Sequence, residues 1–206
     1  MIPANYGCMG TPPVVKNLII LNVLMLMACS MLPIGDTILE WCALSPIDTP
    51  FFHSWQVVTY MFLHGGFGHL FFNMFALWMF GRTLEYDLGS KRFLTYYMVC
   101  GIGAALVQIA VNYLTDTQAY TVGASGAVYG ILLAFGMLHP NNIIMLMFPP
   151  IPLKAKWFVV IYGAIELMSG LSDRVGDNVA HFAHLGGMIW GFLLLWYWKR
   201  NHKIFY

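Results

Sequence analysis

Charge is scarce in this sequence: only 9% of its 206 residues are Asp, Glu, Lys or Arg. A soluble globular domain carries about 25% charged residues, so there is too little charge here to cover a surface that faces water. The composition therefore argues against a soluble enzyme. Ten basic residues against nine acidic ones leave no basic excess for nucleic acid and no acidic run that would indicate disorder.

Metal-binding and disulfide patterns are also missing. The four cysteines contain no pair at metal-ligand spacing, and the chain is too apolar for a small disulfide scaffold; they are Cys8, Cys29, Cys42 and Cys100. The sequence has no His-Glu-x-x-His run, which excludes a zinc protease of that kind. We expect neither a metal nor another cofactor.

Apolar residues are abundant in the sequence, since 59% of its residues are hydrophobic. A membrane span needs about 20 mostly apolar residues. Six candidates are found: Leu18–Leu32 with its flanks, His69–Phe80 continuing to about Glu85, Phe93–Leu114, Gly123–Leu138, Trp157–Gly170 and Val179–Trp198. The fifth is the weakest because Glu166 lies inside it. We predict an all-α membrane protein with a six-transmembrane-helix bundle.

The domain organisation follows from the same spans. We predict a single domain over residues 1–206, with a core at about 14–198 and no linker. The long loop 33–59 is too interrupted by proline and acidic residues to span the membrane, and it carries several aromatic side chains. We expect it to lie in the membrane interface.

Basic residues sort to one side of this six-span arrangement. Nine of the ten lie before span 1, between spans 2 and 3, between spans 4 and 5, or after span 6. Only Arg174, between spans 5 and 6, falls on the other side. The positive-inside rule then puts both termini in the cytoplasm, and we expect a multi-pass protein of a bacterial inner membrane.

Four polar residues inside the spans fall at a similar depth. His69 opens span 2, Asn73 is one turn deeper, and Ser125 lies in the first turn of span 4. His184 lies about 7 Å into span 6 at roughly 1.5 Å of rise per residue. With both termini inside, all four lie in the outer leaflet. Because polar residues in spans are costly and usually face a cavity or a partner, we predict one shared site toward the outer face.

These residue types suit nucleophilic catalysis. A serine hydroxyl is a weak nucleophile until a base takes its proton, and histidine is the usual base. Ser125 follows Gly123 in a Gly-Ala-Ser-Gly turn at a helix N-terminus, where free N–H groups and the helix dipole favour an oxyanion. His69 and Asn73 share one helix face and can both donate to that oxyanion. Tyr129, one turn after Ser125, can pack against a histidine ring.

The same residues also fit structural or redox roles. Taken alone, an intramembrane serine, histidine or asparagine is more often an interhelical or interfacial contact, and Gly126 and Gly130 suit close helix packing. Bis-histidine haem ligation gives no reason for the Gly-Ala-Ser-Gly turn. An aspartyl intramembrane protease would pair Asp87 with Asp177, but these two fall on opposite sides of the membrane. The common depth of the four polar residues favours the serine site.

Several motifs, taken in order, resemble the rhomboid intramembrane serine proteases between about Trp55 and Trp198. They are residues 64–73 with His64, His69 and Asn73; Glu85 followed by Leu88-Gly89-Ser90; residues 123–130 around Ser125; and residues 183–187 around His184, with Gly191. The resemblance implies an intramembrane serine endopeptidase with a Ser125–His184 dyad and no third acid.

The resemblance also implies supporting roles and partners. His69, Asn73 and the backbone of Ser125 would form the oxyanion hole, and Tyr129 would stack beside the histidine. Members of the family cut transmembrane segments of other membrane proteins. The implied partners are therefore transmembrane protein substrates and the lipid bilayer, and not nucleic acid.

Three questions stay open at this point. The family often has Trp-Arg before span 2, whereas this chain has Trp55-Gln56, which leaves the polar anchor of the long loop undefined. His181 is a rival base, but only His184 has a glycine three residues on, and we expect His181 to face the water-filled mouth of the site. Some relatives only bind clients, so the alternative function is a non-catalytic client-binding or chaperone protein.

Access to a site below the membrane surface requires a path. We expect the polar loop Ser169–Asn178 and the outer part of span 5 to gate that path, because the loop directly precedes the histidine helix. Gating by the long loop 33–59 is the alternative.

Overall fold

The computed structural model describes residues 10–146, 150–172 and 180–201. Its elements in chain order are α1 (Pro13–Met31), α2 (Gly35–Cys42), α3 (Gln56–Thr59), α4 (Phe67–Ala76), α5 (Arg82–Leu88), α6 (Ser90–Thr115), α7 (Ser125–Leu138), β1 (Ile143–Met145), β2 (Pro152–Lys154), α8 (Ala155–Gly170) and α9 (His181–Arg200). A 3₁₀ turn at Tyr60–Phe62 follows α3, and a π-helical turn at Leu77–Gly81 joins α4 to α5. Within the described ranges, β-structure is limited to the antiparallel β1–β2 hairpin and one bridge between Leu44 and Thr121.

Each predicted span corresponds to helix in the structure. Span 1 is α1, span 2 is the run from α4 through the π turn to α5, and spans 3 to 6 are α6 to α9. Among the described residues, two helices are long and apolar enough to cross a membrane, α1 and α6, and α7 is a shorter apolar helix. Large apolar side chains cover the outside of the bundle; examples are Leu24, Phe72, Trp157, Ile189 and Leu193. Apolar exposure on this scale marks a surface that faces something other than water.

The centre of the bundle is built from α6, α7 and α9, which approach closely through small residues. A Cβ atom added to Gly187 of α9 would overlap the carbonyl oxygen of Gly126 on α7. One added to Gly130 would meet the Cys100 side chain of α6 and would lie 3.1 Å from the Gly187 carbonyl oxygen. Small residues let helix backbones pack at this distance in membranes. The contact therefore fixes the spacing between α7 and α9.

Glu85 ties the start of α1 to the end of span 2. Its buried carboxylate accepts hydrogen bonds from the backbone N–H groups of Val14 and Val15, at 3.0 and 2.8 Å, and from the Ser90 hydroxyl at 2.6 Å. The first N–H groups of a helix have no intrahelical partners, and a carboxylate there also meets the positive end of the helix dipole. Glu85 thus caps a helix 70 residues away in sequence.

Gln56 anchors the long loop between α1 and α4. The side chain is fully buried, and its Oε1 accepts hydrogen bonds from the backbone N–H groups of Ser45 and His53, both at 3.2 Å. Its Nε2 donates to the carbonyl oxygen of Phe51 at 2.9 Å. An uncharged amide therefore fills the polar role that the sequence left undefined. Its position in a membrane interface stays a prediction.

Part of the predicted gate falls outside the structure. Residues 173–178 of the loop Ser169–Asn178, with Arg174 and Asp177 among them, lie outside the described residues, and so does Cys8. The orientation and gating predictions that involve them remain predictions.

Candidate active site

Ser125 and His184 meet in the structure although they lie 59 residues apart in sequence. Ser125 is the first residue of α7, and His184 lies in the first turn of α9. The Nε2 atom of His184 is 2.8 Å from the Ser125 Oγ atom, which is hydrogen-bond distance for a base and a nucleophile. The close approach of Gly126 and Gly187 next to these two residues makes this contact possible.

Tyr129 packs flat against the His184 ring. The two ring centroids are 4.2 Å apart and the planes differ by 8°. Tyr129 follows Ser125 by one helical turn, so a single helix presents both the hydroxyl and the ring that face the histidine. This is the stacked arrangement that the sequence resemblance implied, and it restricts rotation of the imidazole.

His69 and Ser125 lie on the same side of Gly123. A Cβ atom added to Gly123 would lie 2.9 Å from His69 Nε2 and 3.6 Å from Ser125 Oγ. Gly123 also has a φ of 131°, a conformation that a side chain would strain. Any larger residue would therefore both distort the turn and fill the space between His69 and Ser125.

The tautomer of His69 follows from its backbone contact. The N–H of Gly65 donates to His69 Nδ1 at 3.4 Å, a long hydrogen bond that leaves the ring proton on Nε2 in the neutral histidine. The protonated Nε2 is the nitrogen that faces Gly123. His69 therefore presents a donor toward the space beside Ser125, as an oxyanion hole requires.

Asn73 lies one turn deeper on α4 and is buried. Its Nδ2 donates to the carbonyl oxygen of His69 at 2.9 Å. That hydrogen bond uses one of the two N–H bonds of the amide and ties Asn73 to its own helix. The described partner of Asn73 is thus a backbone oxygen of its own helix, and its role as a donor to the oxyanion stays a prediction.

Glu166 is a site residue that the sequence motifs do not indicate. It lies on α8, is 6% exposed, and its Oε2 atom is 2.9 Å from His184 Nδ1 and 2.6 Å from His181 Nδ1. The Tyr129 hydroxyl donates to the other oxygen, Oε1. The resemblance implied a dyad with no third acid, whereas in the structure a carboxylate oxygen lies at hydrogen-bond distance from the Nδ1 atom of His184. The dyad itself stays a prediction.

The position of His181 also differs from the prediction. Its Nδ1 atom is hydrogen-bonded to Glu166, and its side chain is 14% exposed, so it is held against α8 instead of facing an open mouth.

A signal for Glu166 is present in the sequence, because an ionisable residue within a span is a functional candidate by default. When hydropathy alone is considered, Glu166 only makes span 5 a weaker candidate for a membrane span.

Glu166, His181 and His184 also form a donor set that could hold a metal ion. In the described ranges, one ligand atom from each lies within 4.8 Å of the others, and two imidazoles with a carboxylate would suit zinc. In this structure both imidazole Nδ1 atoms are at hydrogen-bond distance from the same carboxylate oxygen. The expectation that no metal is needed stays a prediction.

Comparison with known proteins gives the following matches. The rhomboid domain family matches residues 52–201. Rhomboid protein 1, mitochondrial, of Saccharomyces cerevisiae is 34% identical over 144 residues, which is 69% of this chain and 41% of the relative. RHOMBOID-like protein 5 of Arabidopsis thaliana is 35% identical over 144 residues, covering 68% of this chain and 44% of that protein. Rhomboid protease GlpG of Serratia proteamaculans is 26% identical over 168 residues, covering 82% and 56%. The chain spans about half the length of these curated relatives.

Proposed function

The chain belongs to the rhomboid family of helical membrane proteins, and from this premise we propose that it is an intramembrane serine endopeptidase that cleaves transmembrane segments of other proteins. The observation that carries the proposal is the 2.8 Å contact between Ser125 Oγ and His184 Nε2. The name of the Serratia relative, a rhomboid protease, supports the same activity.

The first half of the reaction forms an acyl-enzyme. Ser125 Oγ attacks the carbonyl carbon of the scissile peptide while its proton moves to His184 Nε2, and the carbonyl electron pair moves onto oxygen. The resulting oxyanion faces the protonated Nε2 of His69 and the N–H groups at the start of α7. Collapse of the intermediate breaks the C–N bond, and His184 gives its proton to the leaving amine.

The second half uses water. His184 Nε2 accepts a proton from a water molecule whose oxygen attacks the acyl carbon, and the Ser125 oxygen leaves with that proton as the new carboxyl group forms. Tyr129 keeps the imidazole plane fixed through both halves, because its ring covers one face of His184. Asn73 supports His69 from the same helix.

We also propose that the site opens toward the outer face of a bacterial inner membrane, with both termini in the cytoplasm. The loop charges supply the direction. In support, His69, Ser125 and His184 each lie in the first turn of a helix, α4, α7 and α9 respectively. The partners would be transmembrane protein substrates within the lipid bilayer, and residues 1–206 would form one rhomboid-type domain.

A reporter assay tests the proposed function. Wild-type protein in liposomes is incubated with a panel of single-span reporter proteins, beside the Ser125→Ala, His184→Ala and His181→Ala variants. We expect cleavage by the wild type, none by the Ser125→Ala and His184→Ala variants at unchanged thermal unfolding midpoints, and substantial cleavage by the His181→Ala variant.

Three outcomes would contradict the proposal. Cleavage by the Ser125→Ala variant at the wild-type rate would exclude a serine mechanism. Loss of activity in the His181→Ala variant with activity kept in the His184→Ala variant would mean that His184 is not the base. Reporter binding without cleavage by either wild type or Ser125→Ala would instead favour the client-binding alternative.

A further inference from the structure

The carboxylate of Glu166 lies inside the helix bundle, where a charged group is costly. Glu166 lies on α8, one turn before its C-terminus, and is 6% exposed. Ionisable groups at such positions are costly unless they are paired and fully hydrogen-bonded, and they commonly mark functional sites. Within the described residues, the partners of Glu166 come from α7 and α9, the two helices that carry Ser125 and His184.

The hydrogen bonds around Glu166 determine which nitrogen of His184 carries the proton. An ionised carboxylate can only accept, so the neighbouring groups must donate to it. His184 is 2.9 Å away through Nδ1. A proton on Nδ1 leaves the lone pair of the neutral ring on Nε2, and Nε2 is the atom 2.8 Å from Ser125 Oγ. This is the tautomer that a general base requires.

Three contacts together immobilise the His184 ring. Ser125 lies at Nε2, Glu166 lies at Nδ1, and Tyr129 covers one face. The Tyr129 hydroxyl itself donates to Glu166, so the same carboxylate also holds the stacking residue. Glu166 thus acts on the histidine directly and through its neighbour.

We propose that Glu166 is a positioning residue for the reaction, which holds His184 with Nδ1 protonated and Nε2 free to accept the Ser125 proton. The proposal rests on the proposed serine mechanism and extends it from a dyad to a Ser125–His184–Glu166 triad. The proton from Ser125 moves to Nε2, the Nδ1 proton stays on His184, and Glu166 remains anionic throughout while it stabilises the imidazolium.

A purely structural role for Glu166 is the alternative. Glu166 joins α8 to α9 through His181 at 2.6 Å, and that bond alone would tether the two helices. His181→Gln is therefore the matched control for Glu166→Gln, because each variant weakens the same interhelical hydrogen bond from opposite ends. A tether predicts similar losses in both variants, whereas a positioning role predicts a loss in kcat for Glu166→Gln alone.

The kinetic test uses full-length protein in liposomes, with a single-span reporter and with a small fluorophosphonate that needs no lateral entry. For Glu166→Gln we expect a fall in kcat of about 10²-fold or more with little change in KM, since loss of the orienting acid in a serine triad costs about 10⁴-fold. The fluorophosphonate rate should fall in parallel. Glu166→Asp should restore part of the activity, and His181→Gln should keep most of it. Chelation by EDTA should change nothing.

A spectroscopic test needs no variant of Glu166 and no substrate. Nitrogen-15 NMR of histidine-labelled protein reports the tautomer of each ring, and the His184 signals are assigned by their loss in His184→Phe. We expect the Nδ1-protonated neutral form in the wild type. If the reporter is not cleaved by the wild type, the proposed function fails while this measurement still decides the tautomer.

Four results would overturn the proposal. They are a wild-type kcat for Glu166→Gln, equal losses in Glu166→Gln and His181→Gln, an Nε2-protonated His184 in the wild-type spectrum, and activity that disappears on chelation. The last result would assign Glu166, His181 and His184 to a bound metal.

Discussion

Gly187→Ala should damage the active site without touching a reacting group. The added Cβ atom would overlap the backbone carbonyl oxygen of Gly126, which no side-chain rotation can relieve. Relief requires α7 and α9 to separate by roughly 1 Å, and a misplacement of that size near a reacting pair can lower a rate by about 10²-fold. The overlap should also lower the free energy of unfolding by about 1–3 kcal/mol, the usual effect of overpacking. The hydrogen bond between Ser125 and His184, at 2.8 Å, would then be stretched beyond useful length.

The assay is the second-order rate of fluorophosphonate labelling in detergent, together with the thermal unfolding midpoint. Gly163→Ala is the matched control, since it makes the same substitution in α8, where the new Cβ would meet the flexible end of Met188 at 3.2 Å. We expect the control to label near the wild-type rate. Wild-type labelling and stability in Gly187→Ala would refute the idea that this backbone contact sets the distance between the Ser125 and His184 side chains.

Three further predictions concern the scaffold, the orientation and the gate. Glu85→Gln should lower the thermal unfolding midpoint, because it replaces charge-assisted hydrogen bonds to the start of α1 that are worth about 1.5–3 kcal/mol. Glu40→Gln, at an exposed position, is the control. Equal midpoints for the two variants would contradict the capping role of Glu85. Reporter fusions at Tyr206 should give a cytoplasmic signal, and a translocated signal would remove the basis for an outer site. A crosslink between the outer end of α8 and α4 should slow cleavage of a transmembrane reporter but not fluorophosphonate labelling; equal cleavage would refute lateral entry there.

The central pair of the site could be predicted because its signal is local. Ser125 and His184 each lie in a short glycine-containing motif, and helix rise with loop charge gives both the same depth. Tyr129 follows from spacing, since one helical turn separates it from Ser125. None of these steps needs a side-chain contact between distant helices.

Glu166 could not be placed in the same way. Its role depends on how α8 rotates against α7 and α9, and a sequence without internal repeats or charge pairs in the spans does not fix that rotation. The sequence pattern is the same whether the Glu166 side chain faces lipid, a loop or His184, so it cannot distinguish these orientations. Only the packing shows that its carboxylate reaches His184 Nδ1.

The long-range contacts that hold the scaffold together could not be predicted from the sequence either. The sequence indicates six apolar segments but does not indicate that Glu85 caps a helix that begins at Pro13. Nor does it indicate that Gln56 accepts hydrogen bonds from the N–H groups of Ser45 and His53 and donates one to the carbonyl oxygen of Phe51. Both side chains satisfy backbone groups outside their own helices. Their partners are determined by the tertiary fold, so local patterns cannot predict them.

The most direct test of the serine mechanism is to locate the adduct that a fluorophosphonate forms with the purified protein in detergent. Peptide mass spectrometry should find the adduct on Ser125 in the wild type and should find none in His184→Ala, because a serine reacts with this reagent only when a base activates its hydroxyl. An unmodified Ser125 in protein that cleaves its reporter, or equal modification with and without His184, would contradict the proposal that Ser125 is a nucleophile activated by His184.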